Sequence, residues 1–78
     1  MNAAPRPQLI ELWIRAGGRW QPFESFDPSS PQFACSRAPS DYAWFVARRM
    51  ASLVLKADPR IKAYALRRGL RETRRWRR

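Results

Sequence analysis

The chain has 78 residues, 16 Lys+Arg against 6 Asp+Glu, and a formal net charge of +10. Hydrophobic residues make up 45% and aromatics 13%, more than a disordered chain carries, so one small folded domain is expected. With no histidine and a single cysteine, histidine general-base chemistry and a His/Cys metal site are excluded.

A chain this short buries only about 60% of its unfolded surface, which argues against a self-contained enzyme with a deep pocket. No apolar run approaches the ~18 residues of a membrane span, and residues 1–8 lack the apolar stretch of a secretory signal. Cys35 has no partner within the chain for a disulfide, which fits a reducing, cytoplasmic setting.

Residues 1–8, with Pro5 and Pro7, read as a flexible N-terminal arm. In Leu9-Ile10-Glu11-Leu12-Trp13-Ile14-Arg15, β-branched and aromatic residues alternate with polar ones, which predicts a strand. Gly17-Gly18 then predicts a tight hairpin turn, because glycine accepts the positive φ that primed turns require. The return strand is Arg19-Trp20-Gln21-Pro22-Phe23-Glu24-Ser25-Phe26, with Pro22 marking an edge or a bulge. A two-residue turn sets Arg15 opposite Trp20, Trp13 opposite Pro22 and Leu12 opposite Phe23. One face then holds Ile10, Leu12, Ile14 and Phe23, and the other Trp13, Arg15, Trp20 and Phe26.

Residues 27–39 read as a long loop, bounded by Asp27-Pro28 and Ala38-Pro39. Ser40 reads as the N-cap of a helix over 41–57, with Asp41 at its positive end. Ala43, Val46, Ala47, Met50, Leu53, Val54 and Ala57 form its apolar stripe, and Asp58-Pro59 ends it. Ile61-Lys62-Ala63-Tyr64-Ala65-Leu66 fits either a third strand, with Ile61, Ala63 and Ala65 on one face, or a second helix. The strand is favoured because it covers the hairpin's edge. The expected fold is α+β in the order β-β-α-β, one sheet backed by one main helix over residues 9–69. The alternative is β-β-α-α. Residues 70–78 read as a basic C-terminal tail that orders on a partner.

The charge is concentrated. Residues 1–59 carry a net +2 and residues 60–78 a net +8, and 14 of the 16 basic residues are arginine. Arginine grips phosphate with a planar fork of donors, and an indole stacks on a splayed base. Arg67, Arg68, Arg71, Arg74, Arg75, Trp76, Arg77 and Arg78 are therefore the first candidates for contact with nucleic acid or an acidic partner. Arg48 and Arg49, with Lys56, extend this as a basic ridge, although a charged outer face is ordinary for a surface helix. Trp13, Arg15, Arg19 and Trp20 form a second candidate surface, one that can stack bases or anchor a protein. The plainer reading packs these tryptophans under the long loop or against Trp44. Catalysis finds little support: Glu11 and Glu24 are an unfavourable like-charged pair if they face each other, and no sequence motif marks Cys35, Tyr42 or Tyr64 as an activated group.

The succession Leu12-Trp13-Ile14-Arg15, Gly17-Gly18, Arg19-Trp20, Phe23-Glu24-Ser25-Phe26-Asp27, an Ala-rich helix and Ile61–Leu66 resembles small accessory proteins of bacteriophages and mobile elements. The resemblance spans residues 9–68; the 27–39 insertion and the arginine tail depart from it. It implies a non-catalytic protein that binds a host machine, as inhibitors of CRISPR effector complexes and RNA polymerase do. Two functions are thus expected: a basic binding protein for nucleic acid or a nucleoprotein complex, or an inhibitor or adaptor whose Trp-rich face engages a host protein with an acidic or nucleic-acid-binding groove. Neither involves a cofactor, a metal or a membrane.

Overall fold

The computed structural model describes residues 8–69 and, for Arg71–Arg77, the path of the strand. The expected N-terminal arm lies outside the described residues except for Gln8, and Arg78 lies outside them too.

Strand β1 (Ile10–Ala16) turns through Gly17 and Gly18 into β2 (Arg19–Phe26). Both glycines take positive φ, 62° and 74°, the conformation a two-residue hairpin turn needs and side chains resist. Arg15 faces Trp20 and Trp13 faces Pro22, as the turn dictates. The register then shifts between Leu12 and Trp13, so that Leu12 faces Glu24 and Ile10 faces Phe26. Phe23 is the added residue of this bulge. The expected faces are corrected accordingly: Phe26 is buried at 4% exposure, while Phe23 is 45% exposed. Pro22 sits on an edge strand and beside the bulge, the two places that tolerate its missing N–H.

The 27–39 segment is more ordered than a plain loop. The Ser29 N–H and hydroxyl both donate to Asp27 Oδ1, at 2.9 and 2.7 Å. A short helix α1 (Pro31–Ala34) follows and buries Phe33, whose ring meets Tyr42 edge-on at 5.5 Å. Helix α2 (Pro39–Ala57) starts two residues before the expected Asp41. Its N-cap is Ala38, not Ser40, and Pro39 occupies the first turn, where its missing N–H costs nothing. The buried ridge is Ala43, Ala47, Ala51 and Leu55, flanked by half-buried Val46, Met50 and Val54. Leu53 and Ala57, expected on the apolar stripe, are exposed. Three alanines at four-residue steps let α2 lie close on the sheet.

Beyond Asp58-Pro59 the chain forms β3 (Ile61–Arg68), which pairs antiparallel with β1, so the β-β-α-α alternative is set aside. Its register shifts between Arg15 and Ala16, which turns Ile61 into the core with Tyr64 and Leu66. Ile61 therefore does not share a face with Ala63 and Ala65 as expected. The fold is α+β, β-β-α-β with one main helix. The basic stretch read as a tail adds a fourth strand, β4 (Arg71–Arg77), antiparallel to β3. The sheet order is β2-β1-β3-β4. Helix α2 packs over β1, β3 and β2, and Ile10, Leu12, Phe26, Tyr64 and Leu66 meet it from the sheet.

Candidate nucleic-acid interface

Side chains alternate along a strand, so the residues between the core positions belong to the other face of the sheet. Among the described residues, no helix lies over that face. On β1 it holds Glu11, Trp13 and Arg15, on β2 Trp20, and on β3 Ala63, Ala65 and Arg67. The cross-strand register sets Arg15 between Trp20 and Ala63, Trp13 between Pro22 and Ala65, and Glu11 between Ser25 and Arg67.

Two arginine–indole pairs organise the surface. Arg15 Cζ lies 6.0 Å from the Trp20 ring centroid. Arg67 Cζ lies 5.6 Å from the Trp13 ring centroid. Both distances fall in the range where a guanidinium is attracted to an indole face, worth about 0.5–1 kcal/mol at an exposed site. Ala63 and Ala65, at the centre of this face, are buried, at 2% and 3% exposure. Trp13 Nε1 is buried and has no hydrogen-bond partner, which leaves a donor unused on this face.

The structure sorts the sequence candidates into three groups. Trp13, Arg15, Trp20 and Arg67 come together. Arg19 pairs with Ala16, which packs toward the core, so Arg19 stands apart at the hairpin tip. Arg68 stacks on Trp44 from the helix side at 4.9 Å, with its Nε buried and unpartnered, so it is committed inside the fold. Arg48 and Arg49 are exposed on α2, away from the tryptophan platform. For Arg71, Arg74, Arg75, Trp76 and Arg77 the strand register is defined: Arg75 is opposite Ala65, Arg77 opposite Ala63, Trp76 opposite Tyr64 and Arg74 opposite Leu66. The sequence missed the partnership of Arg67 with Trp13, because only the β1–β3 pairing joins them.

Other features carry less. Glu11 and Glu24 line one shallow hollow with Leu9, Pro22, Phe23 and Ser25, but the bulge sets Glu11 opposite Ser25 and Glu24 opposite Leu12. Among the described residues, no group of three His, Cys, Asp or Glu side chains is placed to hold a metal, and no helix is long and apolar enough to cross a membrane. Arg60 binds Asp58 at 2.9 Å; the hydrogen bond first, then the carboxylate's charge, raises the guanidinium above its ordinary pKa. That pair closes the turn after α2, since the Arg60 N–H also donates to Asp58.

Compared with protein-family models, curated proteins and solved structures, the chain finds no match.

Proposed function

We propose that this is a non-catalytic binding protein that holds single-stranded nucleic acid, alone or within a nucleoprotein complex, on the helix-free face of its sheet. The observation that carries the reading is the pair of indoles on that face, Trp13 and Trp20, each accompanied by an arginine. A flat sheet with aromatic side chains offers stacking sites to splayed bases, and neighbouring guanidiniums take the phosphates. Cross-strand diagonal positions about 7–8 Å apart let two bases be served side by side. By register, Trp20 and Arg15 share one row of this face, Trp13 holds the next and Arg67 the third beside Glu11, with Arg75 and Arg77 at the β4 positions opposite Ala65 and Ala63, so indole and cationic positions are gathered on one surface. A net charge of +10 adds long-range attraction.

The test is fluorescence anisotropy with a labelled oligothymidine over a salt series. Affinity is expected to fall steeply, with a log–log slope of about −0.7 per phosphate contacted. Trp13→Ala and Trp20→Ala are each expected to remove about 1–3 kcal/mol of binding with the fold retained by circular dichroism. Binding that is unchanged in both variants overturns the reading. The inhibitor or adaptor alternative predicts instead no oligonucleotide affinity beyond that of a charged surface, with salt-tolerant capture of a host protein that collapses on Trp13→Ala.

A further inference from the structure

A second surface lies on the opposite side of the molecule. An open groove of about 340 Å³ runs along α2 and is lined by Phe45, Arg48, Arg49, Ser52, Leu53, Lys56 and, from β3, Tyr64. Phe45 and Leu53 are each 55% exposed. With Arg49 between them they form one four-residue ridge of the helix, two turns or about 12 Å long. The neighbouring ridge is Arg48, Ser52 and Lys56. Two apolar side chains and three cations thus line one concavity, with no carboxylate among its described lining. The core does not need this ridge, because Ala43, Ala47, Ala51 and Leu55 face the sheet instead.

We infer that this groove is a docking site for an acidic protein segment that carries two apolar side chains, and that it works independently of the tryptophan face. Charge complementarity selects the occupant. Three cations without a carboxylate call for a negatively charged ligand, and a second copy of this chain would bring another +10. Leu53 is aliphatic and offers a base no stacking surface, so paired apolar anchors suit a peptide better than nucleic acid. A membrane surface needs a continuous apolar helix face, and that face of α2 lies under the sheet.

The experiment uses the full chain and two labelled peptides of equal charge, read by anisotropy. One is rich in Asp and Glu with Leu and Phe spaced two helical turns apart; in the other, serine replaces Leu and Phe. The first peptide is expected to bind about tenfold tighter. Phe45→Ser with Leu53→Ser is expected to erase that difference while leaving oligothymidine binding intact. Trp13→Ala is expected to do the reverse, so failure of the nucleic-acid reading and failure of this one are separable. Because Phe45 and Leu53 are more than half exposed, the double variant is expected to fold; Arg49→Glu, which keeps both apolar anchors, is the second check and is expected to weaken both peptides. Equal affinity for the two peptides overturns the inference, as does parallel loss of peptide and oligothymidine in the same variants. Anionic vesicles binding through Leu53 where the apolar peptide fails also overturn it.

Discussion

The two faces of the sheet are built from the same strands, yet they obey different rules. The helix-covered face holds Ile10, Leu12, Phe26, Tyr64 and Leu66, all buried and all apolar or aromatic. The helix-free face sets Trp13, Arg15, Trp20 and Arg67, half-buried or exposed, around buried Ala63 and Ala65, with guanidiniums lying on indoles. Alternation along a single strand separates a packed apolar surface from the one proposed to bind nucleic acid. Substitutions on the two faces therefore act on different observables.

The sharpest break in this comparison comes from the core. Leu12 is fully buried, so Leu12→Ala is expected to cost about 2–5 kcal/mol in denaturant unfolding. Trp13→Ala, one residue along, is expected to cost roughly 1–2 kcal/mol of stability while abolishing most oligonucleotide affinity. Equal destabilisation by the two would mean that the helix-free face is part of the core.

The bulge gives the next test. Phe26→Ala is expected to cost about 3–5 kcal/mol and Phe23→Ala less than about 1 kcal/mol. The opposite ranking would restore the unbulged register, with Phe23 against Leu12. At the turn, Gly18 has φ 74°, so Gly18→Ala is expected to cost about 1–2 kcal/mol without altering ligand binding, as thermal melts and anisotropy together would show. The smallest effect belongs to Arg60→Ala. Its side chain is 85% exposed, and loss of the Asp58 ion pair is expected to leave the melting temperature unchanged within error.

Much of this fold is legible in local chemistry. Gly17-Gly18 marks the hairpin, Asp58-Pro59 ends the main helix, and Ile61–Leu66 alternates well enough to favour a strand. The start of α2 is less so, because Pro39 outranks Ser40 as a helix initiator when Ala38 takes the cap position. The expected stripe includes Leu53 and omits Ala51 and Leu55, yet packing against the sheet buries Ala51 and Leu55 and leaves Leu53 exposed. The candidate site was half legible. Trp13, Arg15 and Trp20 share a hairpin, so their proximity follows from the turn. Arg67 reaches Trp13 only through β1–β3 pairing, and nothing near either residue encodes that contact.

The arginine-rich end shows the same division. Its composition by itself established where the charge lies, and the glycines, prolines and alternations established where strands and helix lie, because those signals act through each residue's own φ/ψ preference and side-chain period. Only the tertiary structure decided that Arg71–Arg77 pairs with β3 as a fourth strand, that Phe23 yields its core place to Phe26, and that Arg67 lies on Trp13. Each of these depends on strand register. Register is set by bulges and by burial of a whole face against α2, and it is therefore a property of segments far apart in the chain.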